Sequence, residues 1–111
     1  MVRIQIRPAH GTKGGFLTAR GHAGNDLICN TVTAIVECMA VNIEGCWDVK
    51  LRRKDNSGDY DLRWDRECRN SRGLERANRA AGFAYNGLAA LAEEYPENVR
   101  VEWIREGERK C

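Results

Sequence analysis

From Asp26 to Gly45 the chain carries a helical pattern with almost no polar face. At 100° per residue, Ile28, Val32, Ile35, Val36, Met39 and Ile43 fall on one side of a helix. Leu27, Ala34, Cys38 and Val41 form a second apolar patch on the far side. Asn30, Thr33, Glu37 and Glu44 leave only a narrow polar arc. Asp26 is a good N-cap residue, and Gly45 a good residue for the position just past the last turn. Such a helix has to be covered on both sides, by the edge of a sheet, by a loop or by another subunit. The rest of the fold is therefore built around it.

What surrounds the helix alternates. Val2, Ile4 and Ile6 face one way and Arg3, Gln5 and Arg7 the other, the pattern of a half-buried strand. Pro8 to Gly15 is a Gly-rich turn in which His10 reads as an exposed turn residue, and Phe16 to Arg20 is a return strand. After the helix, Trp47, Val49 and Leu51 alternate within Cys46 to Lys54, Asp55-Asn56-Ser57-Gly58 is a turn, and Tyr60, Leu62 and Trp64 alternate again. This predicts a β-hairpin with four or five loop residues. Asp65 to Arg72 is a charged connector.

A second helix is expected from Asn70 or Ser71 to Glu94, with Leu74, Ala77, Ala81, Ala84, Tyr85, Leu88, Leu91 and Tyr95 on one face and Pro96 as its stop. Arg72, Arg76 and Arg79 stand opposite, and have two readings: an anion or ribosomal-RNA contact, or, as a surface helix normally looks, a solvated face neutralised by Glu75 and Glu67. Phe83 also points away from the core side, which suggests a partner surface there. Val99, Val101 and Trp103 alternate in a last strand. Hairpins dominate and no βαβ unit is forced. The expected fold is α+β, in the order β-β-α-β-β-α-β: a mainly antiparallel sheet with two helices packed on one face. Its 111 residues suit a single domain, 1–111.

Charge and cysteine usage narrow the chemistry. Eighteen basic and 16 acidic residues are interspersed and leave a net charge of +2, so direct nucleic-acid binding is not expected. No run of about 18 uncharged apolar residues occurs, so no membrane span is expected. The start, Met1-Val2-Arg3-Ile4, lacks the apolar region of a signal peptide, and a cytoplasmic protein is expected. Cys29, Cys38, Cys46, Cys68 and Cys111 include no C-x-x-C and no zinc-type Cys/His spacing, so no metal or other cofactor is expected. An odd number without a secretion signal suggests reduced thiols. Cys38 points about 180° away from Cys29 along the helix and reads as a packed thiol.

Cys29 differs from the others in position. It lies at the head of the helix, seven residues after His22, across the turn Gly21 to Asn25. A thiol attacks only as the thiolate, and both a helix N-terminus and a nearby imidazole favour that anion. The turn can fold back to bring His22 over Cys29, and its free N–H groups can receive an oxyanion. Asp26 has two readings: a cap that fixes the helix start, or a third catalytic group that orients the His22 ring.

Gly21-His22-Ala23 followed by Asp26-Leu27-Ile28-Cys29 and an apolar helix resembles the ribosomal-processing cysteine protease family, Prp. A second stretch is similar to that family's closing helix and strand: Gly87-Leu88, Leu91-Ala92-Glu93-Glu94-Tyr95-Pro96 and Val99-Arg100-Val101. The resemblance runs from about Val2 to Trp103. It implies a cysteine endopeptidase that removes a short N-terminal extension from the large-subunit ribosomal protein near the peptidyl-transferase centre. His22 falls on the family's histidine, Cys29 on its nucleophile, and Asp26 on the aspartate three before it. Thr33 stands for a serine one helical turn below the thiol. The resemblance also implies a homodimer, which suits the second apolar patch. Two departures stand out: the segment between His22 and Cys29 is shorter than the family's Gly-rich lid, and Asn30 replaces a small residue. Divergent copies of this kind suit phage genomes, where a capsid or scaffold protein would be the substrate. The alternative is a non-catalytic relative that binds ribosomal or phage protein tails as an assembly factor.

Overall fold

Alternating side chains and two apolar helix faces dictate which surfaces can be brought together. In the computed structural model, which describes residues 1–56, 59–67 and 72–105, they form seven elements. These are β1 (Val2–Arg7), β2 (Gly15–Arg20), α1 (Asp26–Glu44), β3 (Val49–Arg53), β4 (Tyr60–Arg66), α2 (Gly73–Glu94) and β5 (Val99–Trp103). The strands make one sheet in the order β3-β4-β2-β1-β5. Every pairing is antiparallel except β1 with β5, where Val2 lies opposite Val99 and Ile6 opposite Trp103. Parallel neighbours need a long crossover, which α2 supplies. The α+β order read from the sequence is the one observed.

Val2, Ile4, Ile6, Leu17, Leu62 and Trp64 are buried on the helix side of the sheet. From α1 they meet Ile28, Val32, Val36, Met39 and Ile43, and from α2 Ala77, Ala81, Ala84 and Leu88. The small residues of α2 let the helices approach closely. A Cβ at Gly87 would lie 3.4 Å from Ile35 Cδ1, in ordinary contact. Asn78 of α2 ties the β1–β2 turn down: its amide donates to the Ala9 carbonyl at 2.9 Å and its oxygen accepts from Ala9 N at 2.8 Å.

α1 is long and apolar enough to cross a membrane by length and composition, with a mean hydropathy of 1.4. Here that apolarity serves a central core position, with Val36, Ala40 and Ile43 fully buried. The second patch behaves differently. Leu27 is 74% and Val41 66% exposed, so no described part of the chain covers them. Cys38 is exposed too, which corrects its reading as a packed thiol. It borders an open groove between α1 and α2 that Arg76, Arg79 and Phe83 also line.

Two further expectations change. Trp47 does not share the inward alternation of Val49 and Leu51; it is 84% exposed, in a turn that precedes β3. α2 begins at Gly73, while the expected start at Asn70 or Ser71 lies outside the described residues, as do Cys68 and Cys111. Arg72, in the N-cap position, offers no side-chain cap. The buried Asp48 does so instead, accepting from Arg72 N at 2.9 Å and Gly73 N at 2.8 Å. In the β3–β4 hairpin, pairing continues past the strands through Lys54 N to Asp61 O and a bridge between Asn56 and Asp59. The expected loop of four or five residues includes 57–58, which lie outside the described residues.

Candidate functional site

Gly21 ends β2 in a backbone state that only glycine adopts easily, with φ +93. A Cβ there would stand 2.5 Å from the Met1 carbonyl oxygen. Its N–H donates to Asp59 Oδ1 at 3.1 Å, which fastens the turn to the β3–β4 hairpin. Ala23 is buried, and its carbonyl accepts from Asn98 Nδ2 at 2.6 Å. Gly24 is again left-handed, with φ +76. Two glycine reversals and one buried alanine therefore hold His22 outward from a fixed loop.

The loop ends in a cap, one residue earlier than expected. Asn25 has extended backbone, and its side-chain oxygen accepts from Leu27 N at 2.9 Å and Ile28 N at 3.2 Å. Asp26 is not the cap. It is the first helical residue, exposed, and among the described residues no hydrogen bond joins it to His22. The sequence reading missed this because both residues are good caps and lie side by side. Asp26 still favours the helix start through its charge beside the positive end of the dipole.

Cys29 N donates to Asn25 O at 3.0 Å, closing the first turn, so the thiol stands at the end of that turn and is partly buried. One small pocket of roughly 90 Å³ is lined by His22, Cys29, Thr33, Tyr60, Val2 and Ala19, together with Gly21 and Val32. His22, Cys29 and Thr33, picked out separately in the sequence, thus share a cavity, and Asp26 does not line it. Tyr60 was missed as a site residue. Its spacing with Leu62 and Trp64 marks it as core, yet its hydroxyl reaches Thr33 Oγ1 at 3.4 Å. Asn98 and Asp59 were also missed, since they act only through the loop they hold.

Chemically, the pocket offers a thiol, an imidazole and two hydroxyls against apolar walls. Among the described residues, the backbone N–H groups of 22–26 make no hydrogen bond within the chain, and of these residues His22 borders the pocket. No three His, Cys, Asp or Glu side chains among the described residues gather as a metal site.

No protein-family model matches the chain, nor does any curated protein. Its fold, however, is shared with solved structures. The ribosomal processing protease Prp from Staphylococcus aureus, in complex with a covalently linked product peptide, superposes with a TM-score of 0.70 at 20% identity, over 94% of this chain and 100% of that one. The same protease with a substrate peptide gives a TM-score of 0.71 at 16% identity, with the same coverage. The protein SMU.848 from Streptococcus mutans gives 0.68 at 21% identity, over 96% of each chain. The resemblance to the Prp family read from the sequence therefore holds for the fold of nearly the whole chain.

Proposed function

We propose that the chain is a cysteine endopeptidase in which Cys29 is the nucleophile and His22 the general base, and that it trims an N-terminal extension from a ribosomal protein. The observation that carries this reading is the convergence of His22 and Cys29 on one pocket at the head of α1. Its support from outside the chain is a fold shared with a ribosomal processing protease captured on peptides. In the reaction, His22 takes the thiol proton, and the sulfur attacks the scissile carbonyl carbon. The negative charge passes to the carbonyl oxygen, where N–H groups of the 22–26 loop would receive it. His22 returns the proton to the leaving amine, and water then hydrolyses the thioester and frees Cys29. Thr33 and Tyr60 line the pocket alongside the thiol.

The exposed patch of Leu27, Cys38 and Val41 supports assembly as a homodimer, with Phe83 nearby on α2 as a further exposed apolar group. A second reading, a non-catalytic binding factor for ribosomal or phage protein tails, is favoured by the small volume of the pocket. Incubation with ribosomal-protein and capsid or scaffold precursors, followed by intact mass, decides between them. The peptidase reading expects a single cleavage by the wild type and none by Cys29→Ser or His22→Ala. Stable complexes without cleavage would favour the binding factor.

A further inference from the structure

The near-neutral total charge conceals a segregation. The face of the sheet turned away from the helices is open, and strand alternation sends seven of the 18 basic and three of the 16 acidic side chains onto it. It carries a formal +4, while the rest of the chain sums to −2.

Register arranges these charges in rows. Arg100, Arg3 and Arg20 stand side by side on β5, β1 and β2. Four residues along the strands, about 13 Å away, Arg7, Phe16, Arg63 and Arg52 form a second row across β1, β2, β4 and β3. Like charges directly opposite one another disfavour folding. Arg63 and Arg20 have some relief from Asp61, at 3.1 and 3.7 Å. Among the described residues Arg3, Arg52 and Arg100 form no ion pair. Rows of arginine that one aspartate neutralises only in part call for a polyanion.

The second row says which kind. The guanidinium carbon of Arg7 lies 4.8 Å and that of Arg63 5.6 Å from the centre of the Phe16 ring. Arg7 is also held by a hydrogen bond to the Gly14 carbonyl at 2.8 Å. Planar guanidinium groups fixed around an aromatic ring stack nucleobases as well as pairing with phosphate. Six of the seven cations are arginine, which suits both tasks. Between the rows Gln5 donates to Glu102 at 3.1 Å. That carboxylate would repel an acidic polypeptide, but it accepts hydrogen bonds from a ribose 2′-hydroxyl or a base amino group.

We propose that the open face of the sheet is a docking surface for single-stranded RNA, with phosphates on the two arginine rows and bases on the Arg7–Phe16–Arg63 stack. The proposal stands apart from the peptidase reading, because the Cys29 pocket opens on the helix side of the sheet. The test is fluorescence anisotropy of a labelled single-stranded 12-mer RNA titrated with the intact protein at several salt concentrations. Single-stranded DNA, duplex RNA and polyglutamate serve as competitors.

The wild type should bind the RNA with a log–log salt slope of about −2 or steeper, the mark of three or more phosphates at about 0.7 each. Arg3→Glu should weaken binding about tenfold and flatten the slope. It should also melt at a higher temperature, since the new carboxylate sits between Arg20 and Arg100. Opposite movement of binding and stability separates an RNA contact from a merely structural role. Arg52→Glu should weaken binding as well, whereas Arg79→Glu on α2 should not. Absence of RNA binding at low salt would overturn the proposal. So would an equal loss in Arg79→Glu, or competition by polyglutamate, DNA or duplex as strong as by the RNA itself.

Discussion

The Asp48 carboxylate accepts the N–H of Gly73 at 2.8 Å and so caps α2 from 25 residues away in the chain. A Cβ at Gly73 would collide with that carboxylate, so the pair requires both a short acid and a glycine. Asp48→Ala leaves buried N–H groups unpaired at a helix start. We expect it to cost about 2 kcal/mol. Gly73→Ala should cost a similar amount through displacement of Asp48. Urea unfolding followed by circular dichroism checks both, and a loss under about 0.5 kcal/mol in Asp48→Ala would show that water replaces the cap.

The head of α1 separates two adjacent residues in the same way. Asn25→Ala removes the side chain that receives Leu27 N and Ile28 N, and should cost about 1 kcal/mol. It should also lower turnover, because the turn that carries Cys29 loses its anchor. Asp26→Asn removes only a charge near the positive end of the dipole and should cost a few tenths of a kcal/mol, roughly. Its turnover should stay near that of the wild type. A collapse of turnover in Asp26→Asn at native stability would instead put Asp26 in the catalytic set.

Exposure and activation make opposite predictions for two thiols on one helix. Cys38 is exposed and Cys29 only partly so, while Cys46 is buried. If access alone governs, iodoacetamide modifies Cys38 first. An activated Cys29 is modified ahead of it despite lower exposure, and His22→Ala should cancel that advantage while leaving Cys38 unchanged. Peptide mapping of the protein after brief labelling gives the order.

Glu37 on α1 holds Arg53 of β3 through two contacts, at 3.0 and 2.7 Å. The hydrogen bond from Arg53 keeps the Glu37 carboxyl below its usual range, against a partial desolvation that pushes it up. Because the folded value is the lower one, the pair stabilises the fold above the unfolded glutamate range and loses its effect as pH falls through the folded value. With its side chain 43% exposed, Glu37 contributes under about 1 kcal/mol. The stability gap between wild type and Glu37→Gln should be present at pH 7 and close as the solution is acidified below the folded value. A gap that persists in acid would assign the effect to packing of the side chain.

Periodic features of the chain were legible, and features set by contact at a distance were not. The alternation of Val2, Ile4 and Ile6 and the buried face of α1 are properties of local spacing, and both stand in the fold. Trp47 was misread because a turn interrupted an alternation that continues only from Val49. Cys38 was misread because apolar character alone does not say that a partner surface exists within the chain. Asp48, Asn98 and Asp59 reach their partners across long sequence separations, so no local pattern reports them. Within the candidate site, His22 and Cys29 were visible through glycine spacing and the helix start. Tyr60 was hidden by looking like one more core aromatic.

The parallel pairing of β1 with β5 has a consequence for synthesis. Gln5 and Glu102, hydrogen-bonded neighbours in the finished sheet, are 97 residues apart. Until the last strand leaves the ribosome, β1 has an unpaired edge and its apolar side lacks Val99 and Val101. Closing so long a loop is entropically costly and tends to be slow. A chain that stalls or is cut before Val99 would present that bare edge to its neighbours, an invitation to intermolecular strand pairing.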